Sequence, residues 1–228
     1  MEHQTHSTIA APATHRSLFV FALIYGGMTV LAGVLAFKQV ALWPTELSVE
    51  AGIFAFLFLV VLSSAVSQIH GEATARRMVL WGFLPLAIST LLILFVLHVL
   101  PPSTEMAAQR PDDLAAFERV HNQLWRVYLA GPAAYLVSLL LNIWIFEKLR
   151  GKGGDGSLSL MARGAIASAL SQAIDSVIFV SLAFYGEFPI TNLVIGQALA
   201  KVVLSIVLVP FLIQFAVSWG RSLDKTPA

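Results

Sequence analysis

The sequence predicts an all-α polytopic membrane protein of six transmembrane helices, with a short interfacial helix between the third and fourth. Three observations carry that prediction. Of 228 residues, 57% are hydrophobic and only 12% charged, about half the charge of a soluble domain, so water is not the solvent for most of the surface. The mean hydropathy is +0.80. The apolar residues gather in runs of about 20, the helix length that crosses a hydrocarbon core of roughly 30 Å. Irregular backbone cannot face lipid and no barrel-like alternation is present, so the spanning segments are helices.

Residues 1–16, beginning "MEHQTHSTIAAPATH", are polar and lack a basic n-region. The apolar run that follows exceeds the roughly 7–15 residues of a cleaved signal core, so it is expected to stay as the first span. The six expected spans are residues 17–37, 49–69, 78–100, 128–146, 160–185 and 193–219, forming a single domain over residues 1–228. Between the third and fourth lies an external loop, 101–126. It contains "PDDLAAFERVHNQLW", in which Leu114, Phe117, His121 and Leu124 share one helical face. Asp112 and Asp113 suit the start of such a helix, which is expected to lie at the interface and end at Trp125. The loop 148–158, with "RGKGGDGS", reads as a flexible linker.

Lys and Arg set the orientation. With the N-terminus in the cytoplasm, that side holds Arg16, Arg76, Arg77, Lys148, Arg150, Lys152, Arg221 and Lys225. The other side holds only Lys38, Arg110, Arg119 and Arg126. Both termini are therefore expected in the cytoplasm.

Polar groups inside the spans carry the functional reading. In residues 163–186 the only charged side chains are Arg163 and Asp175. An ionisable group near the bilayer centre costs roughly 2.5–3.5 kcal/mol by insertion scales, so it needs a partner or a wet cavity. Asp175 in span five and Lys201 in span six each lie 13 residues from Phe188 in the intervening loop. Antiparallel neighbours joined by a tight turn hold them at equal depth, able to pair.

Around Asp175, Gly164, Ser168, Ser171, Gln172 and Phe179 follow three- and four-residue steps on one face. Gln197, Lys201 and Ser205 repeat the pattern in span six. Tyr128, Pro132, Tyr135, Ser138 and Asn142 do so in span four, and Ser64, Ser67 and Gln68 in span two. Such stripes, facing inward, would line one central cavity. Plainer readings stand beside this one: the small residues of span five suit close helix packing, Asn142 serves as interhelical glue, and Asp175–Lys201 is a structural ion pair.

Four blocks resemble one family, the queuosine precursor transporters grouped with the vitamin uptake transporters. They are "HGEATARRMVLWGFLP", "LNIWIFEKLRGK", "GAIASALSQAIDSVIFVSLAFYG" and "LAKVVLSIVLVPF". The resemblance implies six helices, no ATPase of its own, and import across the inner membrane of 7-deazaguanine precursors of a tRNA base. These are 7-cyano-7-deazaguanine and its aminomethyl relative. It places substrate contacts on Ser171, Gln172, Asp175 and Lys201. The sequence departs from the family in span two, where acidic residues of a "D...E.YG" pattern give way to Ser64 and Gln68.

The chemistry of such a ring agrees. Its N1–H and 2-amino group are two donors that one carboxylate accepts side by side, a role for Asp175. Gln172 and Asn142 suit the O6 and N3 edges, and Phe179 or Tyr135 can cover the ring face.

Other classes find less support. With no cysteine there is no thiolate metal site or thiol nucleophile. The six histidines show no ligand spacing, so neither metal nor cofactor is expected. A net charge of +1 gives nucleic acid no purchase. An intramembrane enzyme would need a base near Ser171 that the stripes lack. A substrate-binding subunit of a larger uptake transporter is the remaining alternative. The expected partners are a small 7-deazapurine and the lipid bilayer, with oligomeric state left open.

Overall fold

The computed structural model describes residues 15–149 and 160–225, the side chains of 139, 142, 143, 146, 147 and 160–165 excepted. The linker at 150–157 lies outside that description. The fold is helical throughout, apart from one small hairpin. In chain order the elements are α1 (Arg16–Leu35), β1 (Gln39–Ala41), β2 (Ser48–Glu50), α2 (Gly52–His70), α3 (Glu72–Val99), α4 (Thr104–Gln109), α5 (Pro111–Lys148), α6 (Leu160–Phe184), α7 (Thr191–Val207) and α8 (Val209–Lys225). Four helices are long and apolar enough to cross a membrane: α1, α2, α3 and the Ile166–Phe184 part of α6. The bent pair α7–α8 is a fifth candidate. The chain is an all-α polytopic membrane protein, its lipid-facing side chains being apolar.

Three features differ from the sequence expectation. A short helix does precede the fourth span, but it is α4, capped by Ser103 Oγ, which accepts from the Met106 N–H at 3.2 Å. The amphipathic stretch assigned to the interface instead continues into the expected fourth span as the single helix α5. Pro111 opens it, where a missing N–H costs nothing, and Asp112 and Asp113 lie in its first turn. The helix runs on past Trp125 and through Pro132 to Lys148.

The second difference is the hairpin. Residues 38–48 read as a plain connection, yet β1 and β2 pair antiparallel with Val40 opposite Val49 and Gln39 opposite Glu50. The third lies in the last span, which is broken at Leu208 with a bend of 53°. Pro210 causes it, having no N–H to give and a ring that clashes with the carbonyl four residues back.

Two larger apolar cores result, and a smaller cluster of Leu86, Leu124 and Tyr128 packs α3 against α5. One core joins α1, α2, α3 and α8 through Phe21, Tyr25, Leu62, Val66, Met78 and Val217. The other joins α5, α6 and α7 through Val127, Ala130, Val180, Phe184 and Leu193. The α7–α8 bend lets one polar-striped span belong to both.

Two glycines make the arrangement possible. Gly186 turns α6 into α7 at φ 91, a left-handed conformation that side chains resist. Gly196 lets α7 meet the hairpin, because a Cβ there would overlap the Ser48 carbonyl. The described ends of the chain also meet. Ser17 donates its backbone N–H to Asp224 Oδ1 at 2.9 Å and its hydroxyl to Oδ2 at 2.7 Å, placing the start of α1 beside the end of α8.

Candidate functional site

Asp175 and Lys201 form a buried ion pair between α6 and α7. The sequence argument from equal spacing about Phe188 is borne out. The α6–α7 turn is tight, so each helix climbs the same distance back from it. Lys201 Nζ also lies 4.8 Å from the centroid of the Phe56 ring on α2 and 5.8 Å from that of Phe179. Aromatic faces attract a cation, which further holds the ammonium in place.

One turn earlier on α7, Gln197 is wholly buried and joins the hairpin. Its Nε2 donates to Glu50 Oε1 at 2.6 Å, and its Oε1 accepts from the Glu50 backbone N–H at 3.3 Å. Glu50 is therefore held inside the bundle although it belongs to a strand. It is 4% exposed, and burying a carboxylate that far demands donors around it. Its Oε2 faces the first-turn amides of α2, Gly52 and Ile53, without a hydrogen bond of normal geometry to either.

Glu50, Phe56, Asp175, Phe179 and Lys201 lie on the wall of a cavity of about 120 Å³. It is a solute-sized space between the two cores. α1 contributes Tyr25, Thr29 and Gly33; β2 and α2 contribute Glu50, Phe56 and Ser63; α3 contributes Phe83 and Leu86. From α5 come Tyr128, Pro132 and Tyr135, from α6 Asp175 and Phe179, and from α7 Lys201. The Tyr128 hydroxyl is buried and, among the described residues, has no hydrogen-bond partner; Glu50 Oε2 is in the same position. Apolar walls with a few convergent polar groups are what a site for a planar polar solute requires.

Of the residues singled out from sequence, Asp175, Lys201, Phe179 and Tyr135 come together here. The others do not. Ser171 donates to the Ser168 carbonyl at 3.0 Å. Gln172 is held by Ser168 and Ser205, its Nε2 donating at 2.9 Å and its Oε1 accepting at 2.9 Å. Gln172 thereby joins α6 to α7 beside the cavity, and neither residue is part of its wall. Ser64 is half-buried and likewise off the wall. Gln68 is exposed and lines a separate groove with Gln214, Ser218 and Arg221. α2 is turned so that Phe56, Val60 and Ser63 face the cavity in their place. The side chain of Asn142 lies outside the described residues.

Glu50, Tyr25 and Tyr128 are the members that the reading of candidate residues missed. Tyr128 was on the polar stripe of span four, but nothing local marks Glu50. It follows a Pro-containing turn and resembles an interfacial residue preceding a helix.

A second polar cluster closes the opposite end. His15, His70 and Asp224 each offer one ligand atom, all within 4.8 Å of one another. Ser17 lies among them, with its Oγ 2.6 Å from His70 Nε2. The single hydroxyl proton of Ser17 goes to Asp224, so His70 donates to this serine and does not act as its base. The cluster ties α1, α2 and α8 together.

A family model described as "Putative vitamin uptake transporter" matches residues 50–215. A relative from Bacillus subtilis (strain 168), named "Probable queuosine precursor transporter", is 28% identical over 193 residues, covering 85% of this chain and 76% of that protein. No solved structure gives a significant match.

Proposed function

Because the chain belongs to the vitamin uptake transporter family, we propose that it imports a 7-deazaguanine precursor of queuosine, 7-cyano-7-deazaguanine or 7-aminomethyl-7-deazaguanine, across the inner membrane. One observation carries the proposal. A buried carboxylate, Asp175, stands with Lys201 on the wall of an aromatic cavity between two helical cores. A guanine-like ring offers two adjacent N–H donors to such a carboxylate, and Phe179 and Tyr135 can cover its faces. The name of the Bacillus relative agrees with that chemistry.

Six crossings fit the arrangement. The start of α1 and the end of α8 share one face, which requires an even number. α5, at 38 residues, would add the sixth to the five other candidates. The excess of Lys and Arg in the segments expected on that side supports cytoplasmic ends. Alternating access would then rock one core against the other about the fixed site.

Uptake rescue tests the proposal. A bacterial strain unable to make the deazaguanine ring, expressing this protein and fed each precursor, is scored for queuosine in its tRNA. Queuosine restored only with the protein supports import. No queuosine, at normal expression of folded protein, removes the proposal.

A further inference from the structure

The cavity holds one carboxyl group more than the ion pair accounts for. Among the described residues on its wall, Asp175 and Glu50 are acidic and Lys201 is the one basic side chain. Lys201 is committed to Asp175. Glu50 is left with a neutral partner, the Gln197 amide, which donates to Oε1. Burial pushes its carboxyl up to about 7, and smaller effects pull it back toward the ionised form. These are the Gln197 hydrogen bond, the charge of Lys201 and the first-turn N–H groups of α2, at the positive end of that helix. An ionised carboxylate buried without a cation is costly until something positive arrives.

The position of the orphaned oxygen says what should arrive. Glu50 Oε2 lies where a Cβ on Gly52 would meet it, and the same Cβ would meet the Ala32 carbonyl. The Tyr128 ring packs against the next residue of α1, Gly33. The Glu50 carboxyl and the Tyr128 ring thus lie against adjacent residues of α1, Ala32 and Gly33. One carries an acceptor oxygen and the other a hydroxyl with free lone pairs. A primary ammonium group, with three donors and a positive charge, satisfies both.

We infer that Glu50 selects a substrate bearing a primary ammonium group, so that of the deazaguanine precursors the aminomethyl form is preferred over neutral ones. The inference rests on the proposed function and names the substrate class of that same site. Asp175 reads the ring edge from α6, while Glu50 reads the charged substituent from the hairpin. Binding such a monocation restores neutrality between two carboxylates and one lysine.

The test measures binding to the full-length protein in detergent or nanodiscs. Three ligands are compared: 7-aminomethyl-7-deazaguanine, its neutral isostere 7-hydroxymethyl-7-deazaguanine, and 7-cyano-7-deazaguanine. The natural protein should bind the aminomethyl compound about tenfold or more tightly than either neutral one, the scale of a charge-assisted hydrogen bond. Glu50→Gln should narrow that ratio to within about threefold. The isostere comparison needs no variant, so a folding defect in Glu50→Gln leaves the test intact. Equal binding of charged and neutral ligands, or a preference that survives in folded Glu50→Gln, overturns the inference while the proposed import stands. Binding of none of the three overturns the proposed function and the inference with it.

Discussion

Asp175 and Lys201, 26 residues apart in sequence, form an ion pair whose lysine also lies 4.8 Å from the ring centroid of Phe56 on a third helix. One electrostatic contact therefore couples α6 and α7 to the wall contributed by α2. Removing either charge leaves the other buried.

Lys201→Ala and Asp175→Ala should each cost roughly 3–5 kcal/mol and abolish uptake, whereas changing both to apolar or neutral shapes costs less. The double variant Asp175→Asn with Lys201→Met should recover folded protein without recovering transport. Monodispersity in detergent and queuosine in tRNA read the two effects separately. Normal transport by Asp175→Asn would assign the pair a purely structural role.

Phe56→Ala removes an aromatic face from Lys201, an interaction of roughly 0.5–2 kcal/mol. Precursor affinity should fall by about two- to thirtyfold. By contrast, Ser64→Ala and Gln68→Ala should transport normally, because neither residue reaches the cavity. A change of precursor preference in the Gln68 variant would show that α2 is rotated differently in the transporting state.

Gly196→Ala places a methyl group against the Ser48 carbonyl. Pushing the hairpin off α7 should cost roughly 1–3 kcal/mol, the usual range for overpacking, and it should displace Glu50 from Gln197. A lowered melting temperature together with reduced uptake is expected. An unchanged melting temperature would mean that the hairpin is not seated on α7.

The two chain ends can be tested by cross-linking. The protein has no cysteine, so Ser17→Cys with Asp224→Cys gives a pair of thiols on a silent background. A short bifunctional thiol reagent should join them within one chain, since the natural side chains approach to 2.7 Å. A reporter fused at Ser103 should lie on the opposite side of the membrane from one fused at the C-terminus. Reporters on the same side would refute the six-crossing arrangement.

The Asp175–Lys201 pair was legible from sequence because it depends on local geometry alone. A tight turn and the fixed rise of a helix set both depths. The helical class was legible for the same reason, since run length and hydropathy are properties of contiguous residues. The start of α5 at Pro111 and the turn at Gly186 also follow from single residues with fixed conformational preferences.

What sequence does not encode locally is how each helix is rotated and what lies beside it. Periodicity placed Gln172 on the face of Asp175, yet one turn of displacement sends it to Ser205 and off the cavity wall. It marked Ser64 and Gln68 as one stripe of α2, but packing against α1, α3 and α8 turned Phe56 and Ser63 inward instead. Glu50 is the extreme case. Its partner Gln197 is 147 residues away, and only the docking of a three-residue strand on α7 at Gly196 makes a residue next to a loop into a buried carboxyl group. By itself the sequence determined that this chain lies in a membrane and keeps one charge pair there. The tertiary structure alone decided which further groups share the cavity, because burial depends on neighbours that no local pattern specifies.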